Sequence, residues 1–336
     1  MMEHMTESVS NKTSLKGILM LLLTALIWGT GFIAQSVGME SIGALTFNDI
    51  RNLFGAFALL PVIAVRLRIR RKQTSAETVR RELRAALKHG LILGIVFCIA
   101  ANFQQFAFYD STAGKIAFLT ALYVLFVPLI GMLTGKKVPH AMWPCILLGF
   151  VSLYFLCIRP GESLEINRGD FLAFICAFFF AIHILLIERF TKTSDGVVLA
   201  GMQFLVSAVI SLLLMPLFES PSLPAIREAF GALLYAGLFS SGIAYTFQIL
   251  GQKYTEAVIA SLLLCMESVF AVIAAFLVLG ERMTLREVAG CLMLLAAVIS
   301  ANLVEGRSAS KAPLTENPAD ADASDGQRTP PEAHPL

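Results

Sequence analysis

Long, nearly uncharged apolar segments are the feature of this sequence that most restricts its fold. Each is about 20 residues long, the helical length that crosses a hydrocarbon core of about 30 Å. With 57% hydrophobic and only 15% charged residues over 336 positions, a soluble domain could not bury so much apolar surface. We therefore predict an all-α polytopic membrane protein with ten transmembrane helices. The predicted spans cover about 16–37, 46–65, 89–108, 112–134, 140–158, 169–188, 196–218, 229–250, 257–279 and 285–304.

The basic residues indicate how the chain is oriented. Ten spans place both termini on one side, and 19 of the 26 lysines and arginines fall in the tails and loops of that side. Cytoplasmic loops of membrane proteins carry such an excess of Lys and Arg. The sequence therefore predicts a multi-pass protein of the cell inner membrane with both termini in the cytoplasm. The oligomeric state is left open, a homodimer included.

The basic loop at residues 66–88 predicts contact with lipid. Its stretch Thr74–Glu77 resembles a capping box, and Val79, Leu83 and Leu87 recur at helical spacing among arginines. This pattern predicts a short helix lying on anionic lipid headgroups. A nucleic-acid site is the alternative, but membrane topology alone explains the positive charge, so we predict no nucleic-acid partner.

Several chemistries lack their motifs in this chain. The six cysteines all fall in apolar segments, form no CxxC pair and meet no histidine at metal-ligand spacing, so we predict neither a disulfide framework nor a metal site. HExxH, GxSxG and P-loop motifs are missing, which argues against an enzyme and against an ATP-driven pump. No charged ring or filter loop indicates an ion channel. We predict a protein that is not an enzyme and needs no cofactor.

The chain also repeats itself at low identity. KGILMLLLTALIWGTG aligns with RGDFLAFICAFFFAIH, which puts Trp28 on Phe180. GIVFCIAANFQQFAFY aligns with GLFSSGIAYTFQILGQ, which puts Gln105 on Gln248, and GMLTGKKV aligns with AFLVLGERM. The three offsets are 152, 143 and 145 positions, so three separate matches agree within ten residues.

Two repeats of five spans each have a topological consequence. Because five is odd, the second repeat enters the membrane from the opposite side, which is the recurring layout of alternating-access transporters. We predict a first repeat at 16–158 and a second at 169–304, after a cytoplasmic N-terminal segment, 1–15. The remaining residues, 305–336, are rich in Pro, Ala, Asp and Ser, and we predict a disordered cytoplasmic tail.

Four segments carry a resemblance to a known family: IWGTGFIA in span 1, RNLFGAFALLP in span 2, STAGKIAFLTALYVLFVPLIG in span 4 and ESVFAVIAAFLVLGERMT in span 9. Over about residues 15–305 the chain resembles EamA-type members of the drug/metabolite transporter superfamily. The resemblance implies a ten-helix carrier whose relatives export small metabolites, amino acids or drugs. One departure is Ser268, where the family often has proline, so the sequence does not support the kink usual at that point.

Two matching stripes of polar and aromatic side chains lie in spans 3 and 8. At about 100° per residue, each stripe falls on one face of its helix. We predict that the stripes line opposite walls of one substrate cavity; the alternative is that their amides bond between helices as structural contacts. The candidates are Asn102, Gln105 and Tyr109 in span 3, and Tyr245, Gln248 and Gln252 in span 8.

Glu267 is a carboxylate inside an otherwise apolar span. A charge at the centre of a membrane helix costs about 2.5–3.5 kcal/mol on insertion scales, so it needs a compensating use. Its helix face carries Ala260, Ala271 and Ala274, which directs it into the bundle and away from lipid. Three uses stay open: proton carrier, partner for a cationic substrate group, or structural acceptor. His183 in span 6 either exchanges protons with Glu267 or bonds to nearby backbone.

Four further side chains complete the candidate site. Trp28 and Tyr123 are aromatic residues in the middle of spans, for which stacking on an amphipathic substrate and core packing are both open. Arg51 and Lys115 lie near predicted outer helix ends. Snorkelling or a salt bridge is the default there, and a role in an outer gate is the alternative.

Together these patterns predict a secondary-active membrane transporter whose two halves rock around a midplane cavity. The predicted task is export of small amphipathic metabolites, amino acids or drugs, driven by exchange with protons or by the substrate's own gradient. The alternative is a passive uniporter of a small metabolite, because no residue pattern establishes coupling.

Overall fold

The structure, a computed structural model, describes residues 14–158, 161, 165–279 and 282–311. Helices are the regular elements of this described part of the chain. Their bounds are α1 Leu15–Met39, α2 Ala44–Gln73, α3 Ala76–Ala107, α4 Ala113–Thr120, α5 Tyr123–Leu133, α6 Met142–Cys157, α7 Arg168–Phe190, α8 Gly196–Phe218, α9 Leu223–Glu228, α10 Phe230–Leu234, a π-helix Tyr235–Tyr245, α11 Thr246–Gln252, α12 Ala257–Leu264, α13 Met266–Leu279 and α14 Leu285–Lys311.

The described helices confirm the predicted all-α polytopic fold. Nine helical stretches are long and apolar enough to cross a membrane, counting α4 with α5, α10 through α11, and α12 with the start of α13 as one stretch each. The tenth span is α6, which is apolar but only 16 residues long. A helix of that length rises about 24 Å, so α6 is the shortest crossing.

Successive spans run in alternating directions, and contacts join their ends at two faces. At the terminal face, where α1 begins and α14 ends, Arg66 of α2 forms an ion pair with Asp195, the N-cap of α8, at 2.6 Å. At the opposite, distal face, Lys115 of α4 pairs with Asp170 of α7 at 2.6 Å. Both pairs join one predicted repeat to the other.

The two predicted repeats interlock, so the core lies between them. α2 packs on α8, α3 packs on α7 and α8, α6 packs on α14, and α1 packs on α13 and the π-helix. In each case the first helix belongs to the first predicted repeat and its partner to the second. The largest cluster of buried apolar residues accordingly draws on both repeats.

Two spans are interrupted at matching positions. α4 gives way to α5 at Ala121–Leu122, and α12 gives way to α13 at Cys265. Tyr123 is the first residue of α5 and Glu267 the second residue of α13, and the two are 144 positions apart, which agrees with the repeat offset. The second interruption lies three residues before Ser268. It therefore forms although this chain has no proline at that position. Interrupted helices at corresponding places of inverted repeats frame binding sites in transporters.

The eighth span contains the π-helix, which is bonded to α1 in both directions. Thr24 Oγ1 donates to the carbonyl of Ala244 at 2.9 Å, and the Tyr235 hydroxyl donates to the carbonyl of Ile27 at 3.0 Å. Short π-helical segments are rare and concentrate at functional sites. These bonds hold the π-helix against the middle of α1.

The predicted short helix on the membrane surface is wrong as a separate element. α2 continues to Gln73 and α3 begins at Ala76, so residues 66–88 form a hairpin of two helices continuous with their spans. The N-cap is Ser75, whose hydroxyl accepts from the amide of Thr78 at 3.2 Å. Across the hairpin Arg70 pairs with Glu82 at 2.6 Å, and Val79 is buried. Contact with anionic headgroups stays a prediction.

The chain ends differ in part from the prediction. α14 continues to Lys311, past residue 305 where the predicted disordered tail begins, because the residues after Asn302 include good helix formers such as Glu305 and Arg307. The rest of that tail, 312–336, lies outside the described residues. So do residues 1–13 of the predicted N-terminal segment and Arg159, which the topology prediction places at the outer side.

At the distal face a carboxylate accepts hydrogen bonds from the start of α2. Glu219, just past the end of α8, accepts bonds from the amides of Leu45 and Thr46, each at 2.8 Å, and from Thr46 Oγ1 at 2.7 Å. The first amides of a helix lack partners within it and carry partial positive charge, so an anion there is stabilising. Glu219 therefore joins α8 of one predicted repeat to α2 of the other.

We expect the substitution Glu219→Gln to lower the stability of the protein. The neutral amide loses the charge that faces the α2 amides, which we expect to cost about 1–2 kcal/mol. The measurement is the Tm of the detergent-solubilised protein. The control is Glu228→Gln, which removes the same charge from an exposed position on α9. Equal Tm values for the two variants would contradict a stabilising role of the Glu219 carboxylate at the start of α2.

Candidate functional site

A cavity lies between the two predicted repeats, next to both helix interruptions and the π-helix. Its empty volume is about 500 Å³, including the open space at its mouth. Its apolar and aromatic lining residues are Trp28, Gly31, Phe32, Tyr123, Phe180, Ile184, Tyr245 and Leu264. Its other polar lining residues are Gln35, Arg51, Gln104, Thr120, Ser240, Gln248 and Glu267.

The lining follows the internal repeat of the sequence. Trp28 and Phe180, which the alignment superposes, both line the cavity. At the same offset of 152, Phe32 matches Ile184, which also lines it. At the offset of 144 between the interrupted spans, Thr120 matches Leu264 and Tyr123 matches Glu267. Corresponding positions of the two repeats therefore face one common space.

Aromatic rings form one wall of the cavity. The rings of Trp28 and Tyr245 lie 4.5 Å apart between centroids, and Tyr245 packs edge-on against Phe97 at 4.9 Å. The buried Trp28 indole nitrogen has no hydrogen-bond partner among the described residues. Trp28, Tyr123 and Tyr245, all predicted from the sequence, are thus brought together at the cavity, where they offer apolar faces with polar edges.

Arg51 lies in the cavity, and the expectation that it snorkels at a helix end is wrong. Its side chain is 2% exposed, because the first turns of α2 are covered by α8 and the π-helix. One terminal nitrogen, Nη1, lies 3.4 Å from Gln35 Oε1. The guanidinium atoms Nε and Nη2 have no partner among the described residues.

Glu267 confirms its predicted orientation into the bundle, with 4% of its surface exposed. Its carboxylate makes no hydrogen bond or ion pair with the described residues. Besides the cavity, it lines a crevice between α1, α4, α6 and α13 that also includes Arg282 and Glu287. α1 approaches closely here, since a Cβ added at Gly29 would lie 2.6 Å from the Glu267 carbonyl oxygen. Glu267 is thus reachable from two spaces.

His183 is buried but does not line the cavity. Its Nε2 lies 2.9 Å from Gln203 Oε1, and its ring packs among Phe97, Phe180 and Tyr245. No hydrogen bond joins His183 to Glu267 in the described residues. The predicted proton exchange between them is therefore not built into this conformation.

The two predicted stripes divide between cavity and scaffold. Gln248 lines the cavity, and its Oε1 has no partner among the described residues. Gln105, its counterpart in the first repeat, is fully buried away from the cavity, and neither end of its amide is paired. Gln252 donates to the carbonyl of Ile184 at 3.0 Å, a bond between helices. Only one of these three glutamines can contact a ligand in the cavity.

The outer members of the first stripe also lie outside the cavity. Asn102 accepts from Asn48 Nδ2 at 2.9 Å and donates to Ser211 Oγ at 3.2 Å, which links α3 to α2 and α8. Tyr109 is mostly exposed past the end of α3, where its hydroxyl accepts from the amide of Ala44 at 3.1 Å. Both match the structural alternative that the sequence left open.

Lys115 lies at the distal face, away from the cavity. Besides its ion pair with Asp170, its Nζ donates to the carbonyl of Glu165 at 3.3 Å. Asp170 also accepts from Ser111 Oγ at 2.5 Å and caps the start of α7 with Asn167. The default reading of a salt bridge therefore describes this residue.

The sequence analysis missed several polar residues of the cavity. Gln35 continues the face of α1 that carries Trp28 and Phe32, at helical spacing of seven and three residues, so periodicity could have found it. Gln104 Nε2 donates to Thr120 Oγ1 at 3.2 Å, and no repeat signal marks that pair. Within the described part of the chain, no group of three or more His, Cys, Asp or Glu is arranged to hold a metal ion.

Known proteins resemble this chain in sequence and in fold. The model of the EamA-like transporter family matches the chain twice, over residues 15–158 and 167–303. An "Uncharacterized transporter" of Archaeoglobus fulgidus is 29% identical over 288 residues, covering 84% of each chain. "Uncharacterized transporter YoaV" of Bacillus subtilis is 25% identical over 291 residues, covering 84% of this chain and 95% of that one. A solved crystal structure shares the fold with a TM-score of 0.69 at 18% identity, covering 87% of this chain and 98% of that one.

The two family matches fall on the two predicted repeats, which agrees with the interlocked halves and the paired cavity positions. Together they cover far more than half of the sequence. The curated relatives align over most of their own length. This chain belongs to the EamA-like transporter family.

Proposed function

We propose that this protein is a secondary-active exporter of small amphipathic molecules. Two halves rock around the central cavity and expose it to each side of the membrane in turn. The protein lies in the cell inner membrane, with both termini in the cytoplasm and the distal face outside. The observation that carries the proposal is the cavity itself, since it lies between the repeats and combines an aromatic wall with unpaired polar groups.

The connections between the halves support the rocking motion. Contacts between repeats are short and polar at each face: Arg66 with Asp195 at the terminal face, and Glu219 with the start of α2 at the distal face. Such contacts are exposed or partly exposed and of modest strength, so a domain motion can break them. The cavity is bounded by interrupted helices, which supply the local flexibility at its walls.

Glu267 is the protonatable element of this proposal. Its carboxylate lines the cavity without a hydrogen-bond or ion-pair partner among the described residues, so it can take up and release a proton there. Carboxylates inside membrane spans commonly mark proton pathways. Exchange of an external proton for an internal substrate at this position would couple export to the proton gradient.

The test of coupling is accumulation in proteoliposomes under a pH gradient. One pH unit corresponds to about 1.4 kcal/mol, so one coupled proton supports an accumulation ratio of about tenfold. The transported compound is chosen as the one that most raises the Tm of the solubilised protein in a panel of amino acids, organic acids and amines. We expect the wild type to concentrate this compound and Glu267→Gln to equilibrate it without concentrating it.

Glu287→Gln is the matched control for this test. Glu287 lines the same crevice as Glu267, but its carboxylate already accepts from the amide of Thr284 at 2.7 Å. We expect this variant to concentrate the compound as the wild type does. A wild type that moves the compound only to equal concentrations, with or without the gradient, is a passive uniporter, and coupling is then wrong.

The cavity assignment is tested by the two glutamines that the repeat superposes. We expect Gln248→Leu to weaken binding of the same compound about tenfold, because a hydrogen bond to the ligand contributes about 1–1.5 kcal/mol. Gln105→Leu is the same substitution outside the cavity and should leave the Kd unchanged. Isothermal titration of both solubilised variants measures the difference. Equal affinities would place the ligand elsewhere.

A further inference from the structure

Arg51 is a buried cation without a counter-charge in the part of the chain that the structure describes. Among the described residues, no carboxylate forms an ion pair with it, although Arg66, Arg70, Lys115 and Lys136 all have acidic partners. Its one polar contact is the long bond to Gln35, and the ring of Phe47 lies 5.8 Å from its central carbon. An isolated buried charge is energetically costly unless an opposite charge and hydrogen bonds compensate it.

The acidic residues near Arg51 do not supply that partner. Asp49 is buried on the same helix, but two residues on a helix point about 200° apart. Glu267 lines the same cavity yet makes no ion pair with Arg51. The cavity therefore has one cation and one carboxylate among its lining residues that do not pair with each other, and the guanidinium keeps two buried donors without an acceptor among the described residues.

The unpaired part of the guanidinium has a specific geometry. The unpaired atoms are Nε and Nη2, which form one edge with two parallel donors. This protein uses the same edge elsewhere to hold carboxylates. Arg70 donates from Nε to Glu82 Oε2 at 3.0 Å and from Nη2 to Glu82 Oε1 at 2.6 Å. A carboxylate on a ligand can dock on Arg51 in the same two-bond geometry.

We infer that the transported molecule carries a carboxylate that binds the Nε–Nη2 edge of Arg51, with its apolar body against the aromatic wall. This inference rests on the proposed function, because it names the substrate class of that same cavity. Trp28 and Tyr245 provide the apolar surface, and Gln35 and Gln248 lie around the polar end. The substrate class is therefore amphipathic organic acids, amino acids included.

The experiment compares acids with their own amides, which differ only in the charged group. The probes are 3-phenylpropanoate, 3-phenylpropanamide and 3-phenylpropylamine, together with a shorter and a longer acid–amide pair. Binding to the detergent-solubilised protein is measured by isothermal titration and by the shift in Tm. We expect an acid to bind the wild type about 10- to 100-fold more tightly than its amide, because hydrogen bonds between charged groups are about twice as strong as neutral ones.

Two variants assign that preference to Arg51. Arg51→Gln removes the charge and should bind acid and amide equally, while Arg51→Lys keeps the charge without the two-donor edge and should retain part of the preference. Arg71→Gln is the control, since Arg71 is an exposed arginine near the end of the same helix and forms no ion pair among the described residues. It should preserve the full preference.

Every outcome decides the inference. If no acid binds the wild type more tightly than its amide, or if Arg51→Gln keeps the preference, the assignment is wrong; the first of these results needs no variant to fold. These readouts do not depend on transport. If an acid binds tightly but the protein in proteoliposomes does not transport it, the proposed function alone is wrong. If the amine is transported and the acid is not preferred over its amide, this inference alone is wrong.

Discussion

Hydrocarbon offers no hydrogen-bond partners, so each polar group carried into a span must find its partner within the protein. In this structure the partner is often on the other repeat. Asn52 donates to Ser207 Oγ at 3.0 Å between α2 and α8, and Thr24 donates to the carbonyl of Ala244 at 2.9 Å between α1 and the π-helix. These bonds fix the register of helices that apolar packing alone would leave free to slide. The interlocked arrangement of the halves depends on them.

The same requirement separates the scaffold from the cavity. Asn102 is polar, buried and bonded to neighbouring helices through both ends of its amide, and it holds the bundle together. Arg51, Gln248 and Glu267 are equally buried, but each keeps polar atoms without a partner in the described residues, and all three line one cavity. Buried polar groups are normally satisfied, so an unsatisfied set around one space indicates a site that a ligand completes. Gln105 is unpaired as well but lies away from the cavity, so the site is identified by unpaired groups that share one space.

The sequence predicted what local rules control. Segment length gave the ten spans, and alanines on the face of Glu267 gave its orientation, because small residues permit close helix contact. Periodicity placed Gln105 and Gln248 on similar faces but could not tell which neighbour each face meets, and only one reached the cavity. The sequence analysis placed Arg51 near solvent because it lies close to the start of its helix. In the structure, helices that are distant in sequence cover that end of α2. Tertiary neighbours decide such cases, and periodicity carries no information about them.

The internal repeat accounts for the matching helix interruptions beside the cavity. Sequence differences between the two repeats account for the different side chains that line it. The interruptions in spans 4 and 9 match, yet the helix after the first carries Tyr123 at the position where the helix after the second carries Glu267. Two identical walls would present the same groups in both states of the proposed rocking motion. A ligand shifts such an equilibrium only by its difference in affinity for the two states. Because the carboxylate belongs to one repeat alone, adding a proton changes one wall and not the other. That asymmetry is what allows a proton to favour one of two otherwise similar states.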